Sequence, residues 1–308
     1  MRHFLSMSDL DAATIDALFG LTKRLKTEAT SGTVRTTLAT KTLVMLFEKP
    51  SLRTKLSFDI GITQLGGHAL YLGPQEVGLG KRESAEDIAR VISDMGDMMV
   101  ARVFHHETLL ALVHSAGVPV INGLSDFEHP CQTLADLYTV LELKHVLRGV
   151  SVAFVGDAEN NVVHSLALGC ALVGMHVRVS NPRGYALNQG ILKKALAICR
   201  KTGGSVRQIV NPRDAVSGAD VVYTDTWISM GDERESEVRQ RTFRPYQVTS
   251  ELLSGAKPDA IFMHDLPAHR GREVTAQVID GAQSVVFEQA ENRLHVQKAL
   301  MLWLSGHV

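Results

Sequence analysis

Short apolar runs alternate with amphipathic stretches along nearly the whole chain. The apolar runs predict strands at Thr42–Phe47, Met98–Ala101, Val118–Asn122, Val152–Val155, Val177–Ser180, Val221–Thr224, Ala260–Met263 and Ser284–Phe287. Between them the spacing predicts helices, among them Ser84–Met95, Glu107–Ser115, Gln132–Leu141, Leu192–Thr202 and Glu291–Leu304. Strands alternating with helices of this length predict an α/β fold of mostly parallel sheets flanked by helices. The strand positions hold near-continuous Val, Ile, Leu and Met, as a sheet covered on both faces requires. A fresh strand at Ser151 places a boundary around His145–Gly149, giving two domains, 1–146 and 147–289. Internal repeats and low-complexity segments are not apparent.

Composition changes this picture little. The 308 residues are comfortable for two domains, and 45% apolar with 21% charged is ordinary globular composition. A net charge of −1 points to neither a nucleic-acid nor a membrane partner. The N-terminus shows no signal-peptide pattern, and no apolar run approaches the length that spans a bilayer. Cys131, Cys170 and Cys199 form no CxxC pair, which fits reduced thiols in a cytoplasm rather than disulfides or a zinc site.

In parallel sheets ligands bind beyond the carboxyl ends of strands, so the chemistry is sought there. The first strand leads into Ser51-Leu52-Arg53-Thr54, where Ser51 caps a predicted helix. Free N–H groups, hydroxyls and a guanidinium make an anion site, with phosphate the natural guest. A capped helix with solvated charges would leave the same pattern. Arg102 follows another strand, and His129-Pro130-Cys131-Gln132 opens a helix after the next. His129 and Gln132 can donate to a carbonyl oxygen. In the second half, Gly156-Asp157-Ala158-Glu159-Asn160-Asn161 lacks the glycine fingerprint of a dinucleotide turn. Asp225, Trp227-Ile228-Ser229-Met230-Gly231 and His264-Asp265-Leu266-Pro267 also follow strands, and Arg293 is expected near the start of the last helix.

Together these motifs resemble the aspartate/ornithine carbamoyltransferase family, from Arg2-His3-Phe4-Leu5 to Val296-Gln297-Lys298-Ala299. Ser51-Leu52-Arg53-Thr54 is similar to its Ser-Thr-Arg-Thr phosphate motif, with Leu52 in place of threonine. His129-Pro130-Cys131-Gln132 matches its carbamoyl motif, and Asp225 with Ser229-Met230-Gly231 resembles the ornithine-type loop. The resemblance implies a carbamoyl-phosphate-binding first domain, an ornithine-binding second domain, and a C-terminal helix (290–308) packing back on the first. It implies a homotrimer with active sites at subunit interfaces, and no metal or organic cofactor. The implied reaction moves the carbamoyl group of carbamoyl phosphate to the side-chain amine of L-ornithine, giving L-citrulline and phosphate, in arginine synthesis or degradation. Carbamoyl phosphate would bind Ser51, Leu52, Arg53, Thr54, Arg102, His129, Gln132 and Arg293, with Asp265 and Leu266 on a closing loop. Ornithine would bind Asn161, Asp225, Ser229 and Met230. Arg53, Arg102, His129, Asp225 and Asp265 are the implied catalytic residues.

Two positions depart from the family pattern. The closing loop normally reads His-Cys-Leu-Pro, and here an aspartate, Asp265, replaces the cysteine. It could hold the incoming amine protonated, act as a base beside Asp225, or be a tolerated change. Gly78 stands where many relatives carry a glutamine that reaches the neighbouring subunit, and Lys81 is the nearby cation. The alternatives are therefore a transcarbamylase for another amine, or a non-catalytic relative that binds ligand.

Overall fold

The computed structural model describes residues 2–33, 35–79, 82–228 and 235–307. It resolves into two compact units: Met1–Tyr138 with Glu291–Val308, and Thr139–Ala290. The first holds strands β1 (Thr42–Phe47), β2 (His68–Leu72), β3 (Met98–Arg102) and β4 (Val120–Leu124). All pair in parallel, in the order β2-β1-β3-β4. Its helices are α1 (Ala12–Thr30), α2 (Leu52–Gln64), α3 (Pro74–Val77), α4 (Ala85–Met95), α5 (His106–Ser115) and most of α6 (Pro130–Lys144).

The second unit holds β5 (Ser151–Val155), β6 (His176–Ser180), β7 (Ser205–Ile209), β8 (Val221–Tyr223) and β9 (Ile261–Met263), parallel in the order β7-β6-β5-β8-β9. Around them lie α7 (Asn161–Leu172), α8 (Gln189–Thr202), α9 (Pro212–Val216), α10 (Ser236–Phe243), α11 (Ser250–Leu253) and α12 (Ala276–Ile279). The last helix, α13 (Val286–Leu304), runs on into the first unit.

Each sheet is covered on both faces, so after the half-buried Thr42 β1 reads Leu-Val-Met-Leu-Phe with all five side chains buried. Val44 and Leu46 pack on Ile88, Ile92, Leu109 and Leu112 of α4 and α5. In the second unit Ala153, Val155 and Val222 meet Val248, Leu252, Val278 and Val286. The C-terminal helix packs on α2, as the sequence implied. Gly61 permits the close approach, because a Cβ there would meet Met301 Cε at 3.2 Å.

Three predicted elements need correction. Ser284–Phe287 is not a strand: Ser284 makes a single bridge to Phe262, and α13 already begins at Val286. A four-residue apolar run carries no period that separates strand from helix, and only Val286 of it needs a core position. Consequently Arg293 lies inside α13, not near its start. Strand β4 begins two residues later than expected, beyond Pro119, which has no N–H for the ladder. Two strands went unread, β2 and β7. Both are sheet edges with exposed or polar positions, so neither shows a continuous apolar run.

Candidate active site

Each sheet reverses its strand order once, between β1 and β3 in the first unit and between β5 and β8 in the second. The loops leaving these strand pairs diverge there and open a crevice at their carboxyl ends. The chemistry-bearing side chains gather at both crevices.

In the first unit, Ser51 caps α2 and its hydroxyl accepts the Thr54 N–H at 3.3 Å. Thr54 thereby sits in the first turn, where N–H groups lack helical acceptors and the dipole end is positive. Arg293, two turns into α13, spans two motifs: its Nη2 donates to Thr54 Oγ1 at 2.9 Å and its Nη1 to Gln132 Oε1 at 2.5 Å. Gln132 is fixed from its other end, donating through Nε2 to Asp136 Oδ1 at 2.9 Å. His129 precedes Pro130, the first residue of α6, and its carbonyl accepts the Gln132 N–H at 3.1 Å. Arg102 is the last residue of β3, paired with Phe47 across the ladder. Thr54, Arg102, His129, Gln132 and Arg293 are all buried, and Lys49 lies buried with its ammonium 4.5 Å from the Phe104 ring. Cys131 is no nucleophile, since burial pushes its thiol up to about 12.

The second crevice has the opposite character. Gly156 leaves β5 at φ 145°, and Asn160 caps α7 through Val163 N–H at 3.0 Å. The Asn160 amide also donates to Asp225 Oδ2 at 2.9 Å, while Asp225 Oδ1 accepts the Thr226 N–H at 2.6 Å. Asp225, His264 and Asp265 bring their polar atoms within 4.8 Å of one another. His264 Nε2 lies 3.4 Å from Glu273 Oε1, and its Nδ1 lies 2.9 Å from the Leu266 N–H and 3.5 Å from Asp265 Oδ1. Leu266 has φ 59°, an uncommon conformation for a branched side chain and one that concentrates at functional loops.

Charge follows from this crowding. Burial, then the adjacent Asp265 carboxylate, push the Asp225 carboxyl well above its usual range, against the pull of His264. Two carboxyl groups this close do not ionise independently, so a proton on one favours the charge on the other. Burial lowers the His264 pKa, but hydrogen bonds to Asp265 and Glu273 and the surrounding charge outweigh it and raise it to about 9. The Leu266 N–H contact alone opposes the imidazolium, because it needs a lone pair on Nδ1. Asp225, His264 and Asp265 have the spacing of a cation site, as do the exposed His105, Glu107 and Asp126. Both Asp225 oxygens and both His264 nitrogens already have hydrogen-bond contacts, so proton sharing accounts for the first set.

Residues 2–142 match the carbamoyl-P binding domain of aspartate/ornithine carbamoyltransferase, and residues 148–304 match its Asp/Orn binding domain. The chain belongs to the aspartate/ornithine carbamoyltransferase family. It is 49% identical over 305 residues to an ornithine carbamoyltransferase of Carboxydothermus hydrogenoformans, covering 99% of this chain and 98% of that one. The corresponding protein of Anoxybacillus flavithermus is 46% identical over 303 residues, covering 98% and 96%. The solved ornithine carbamoyltransferase of Pyrococcus furiosus superposes with a TM-score of 0.97 at 46% identity, covering 100% of this chain and 98% of that one.

Within this carbamoyltransferase chain, Ser51, Thr54, Gln132 and Arg293 form one connected network. Arg53 is half-buried in the same first turn, and the Leu52 side chain is 69% exposed, which leaves its backbone N–H as its contribution there. Asn161 opens α7 beside Asn160. Ser229 and Met230 lie outside the described residues, as does Lys81. Gly78 ends α3 at φ 61°, a left-handed position that suits glycine.

Five residues had no role in the sequence reading: Asn160, Glu273, Asp136 and the pair Asp157–Arg239. Arg239 ion-pairs with buried Asp157, donates from Nε to the Trp227 carbonyl at 2.7 Å, and lies over the Tyr185 and Phe243 rings. It thereby anchors the backbone two residues beyond Asp225. Asn160 carried a legible signal as a helix cap after a strand. The others became relevant only through contacts distant in sequence.

Proposed function

We propose that this carbamoyltransferase transfers the carbamoyl group of carbamoyl phosphate to the side-chain amine of L-ornithine, releasing L-citrulline and phosphate. One observation carries the reading: Arg293 joins Thr54 and Gln132, residues 239 and 161 positions away, into a single buried set of donors. Such a set suits a phosphorylated carbonyl, and the ornithine carbamoyltransferases similar to this chain along its full length support ornithine as the acceptor.

Ser51, Leu52, Arg53, Thr54 and Arg293 hold the phosphate, the backbone N–H groups and guanidinium forks matching its oxygens. Arg53, Arg102 and His129 polarise the carbonyl and stabilise the tetrahedral oxyanion, and Gln132 orients the carbamoyl group. As phosphate leaves, the same arginines take up its charge. Asn161, Asp225, Ser229 and Met230 hold ornithine. Its amine has a free pKa of about 10.4, so it arrives protonated and must lose a proton to attack. With one shared proton between them, Asp225 and Asp265 keep one carboxylate to receive it. Asp265 thus supplies beside Asp225 a second carboxyl group, which a neutral thiol at this position would not.

The same aspartate favours a second reading, a different amine acceptor, since an added carboxylate selects for cationic amines. A steady-state assay with carbamoyl phosphate and a panel of amines, for wild type and Asp265→Cys, separates the two. Citrulline formation at ordinary turnover supports ornithine, and turnover of another amine alone supports the second reading. Failure of both proteins to bind carbamoyl phosphate sinks the assignment.

The assembly we propose is a homotrimer. Leu52, Leu56 and Ile60 are 69%, 47% and 41% exposed along one face of α2, an apolar stripe suited to another copy of the chain. Light scattering should give three chains per particle. Among the described residues no helix is long and apolar enough to cross a membrane, and a cytoplasmic enzyme is the reading that fits the three free cysteines.

A further inference from the structure

Besides Arg293, α13 buries a second cation that the reaction does not use. Lys298 is 3% exposed, with its ammonium nitrogen donating to Gln64 Oε1 at 2.8 Å and to the Leu25 carbonyl at 3.4 Å. It lines a cavity of about 320 Å³ whose walls come from α1, the turn after it and the end of α2. Glu28 and Arg35 are the charged groups of that wall. They are spent on each other: Arg35 Nη2 and Nε reach the two Glu28 oxygens at 2.6 and 2.9 Å. Lys298 therefore has no carboxylate of its own.

Two acceptors match the two N–H bonds of a neutral amine and leave its lone pair over, whereas an ammonium has a third N–H to place. Burial lowers the Lys298 pKa to about 8, with Glu28 raising it and Arg35 adding to the depression. Near neutral pH part of Lys298 is therefore the neutral amine, a nucleophile beside a cavity. The proposed substrate is also a source of electrophile. Carbamoyl phosphate can break its carbonyl C–O bond and pass an N–H proton to the departing phosphate, releasing isocyanic acid.

We propose that Lys298 is a carbamoylation site, modified by the isocyanic acid that carbamoyl phosphate releases. The amine nitrogen attacks the isocyanic carbon, a C–N bond forms, and a proton passes from the amine to the carbamoyl nitrogen. Nothing is oxidised or reduced, and no other product leaves. The resulting urea is neutral, and the cavity has room for its few added atoms. Modification removes a positive charge between α13 and α2, the two helices that carry Arg293 and Thr54.

The proposal rests on carbamoyl phosphate being the substrate, so the test separates the two claims. The full chain is incubated near neutral pH with cyanate in one arm and with carbamoyl phosphate in another, then digested and mapped by mass spectrometry. Lys298 should gain a carbamoyl group about tenfold faster than the exposed Lys201, because burial lowers the Lys298 pKa to about 8. Gln64→Glu, which sets a carboxylate against the amine, should slow Lys298 labelling severalfold while Lys201 is unchanged. An unlabelled Lys298, one labelled no faster than Lys201, or a rate indifferent to Gln64→Glu would overturn the site. Labelling by cyanate but never by carbamoyl phosphate would overturn the substrate as its source. Citrulline assays on the unmodified protein report independently on the function itself.

Discussion

The two crevices stand at equivalent places in two parallel sheets, yet their chemistry is opposite. The first, beyond β1 and β3, collects Arg102, His129, Gln132 and Arg293, all hydrogen-bond donors. The second, beyond β5 and β8, collects Asp225, Asp265 and Glu273 around one histidine. Sheet topology therefore selects where a ligand binds, and the residues ending each strand select its charge. In the proposed reaction the first takes the phosphorylated carbonyl and the second the cationic amine that must surrender a proton.

Replacing residues one crevice at a time tests whether the two roles separate. The largest effect is expected for Arg293→Met, which strips Thr54 and Gln132 of their common donor. Activity should fall about a thousandfold, with weaker carbamoyl phosphate binding by calorimetry. Next, Asp157→Ala leaves Arg239 charged and buried, and should cost about 3 kcal/mol in denaturant unfolding. If stability instead changes negligibly, Arg239 is not the anchor described. Asp225→Asn should lower kcat/KM for ornithine about a hundredfold while leaving carbamoyl phosphate affinity nearly intact. A matching loss of carbamoyl phosphate binding would break the separation of roles.

Smaller effects concern protons. Asp265→Asn removes the charge that helps hold Asp225 protonated, so the acid limb of the ornithine pH–rate profile should move to lower pH. Burial of Asp225 remains, and with it part of the shift. For His264 the folded pKa of about 9 lies above the ordinary histidine value of 6.5. Its contribution to stability is complete below the lower value and disappears as pH rises through the upper one. Glu273→Gln should flatten that alkaline loss of melting temperature.

Much of this was legible without coordinates. Period and length gave parallel sheets flanked by helices, and seven of the runs read as strands mark real strands, several with shifted ends. The exceptions were informative. Edge strands β2 and β7 lack the apolar continuity that double coverage imposes, and Ser284–Phe287 is too short for its period to be read. The loop at Ser51–Thr54 advertised itself through a helix cap, and Asp265 through its departure from a familiar motif. Glu273 offered no comparable signal, since its meaning lies in the His264 ring beside it.

The chain's order of residues by itself determined which groups follow which strands, and so which chemistries were available. Only the tertiary structure decided which of them meet. Arg293 became a partner of Thr54 and Gln132 because α13 packs on α2. Asp225 became a carboxyl that holds its proton because burial and the adjacent Asp265 charge raise its pKa. Contact and desolvation act between residues far apart in sequence, and a linear pattern encodes neither.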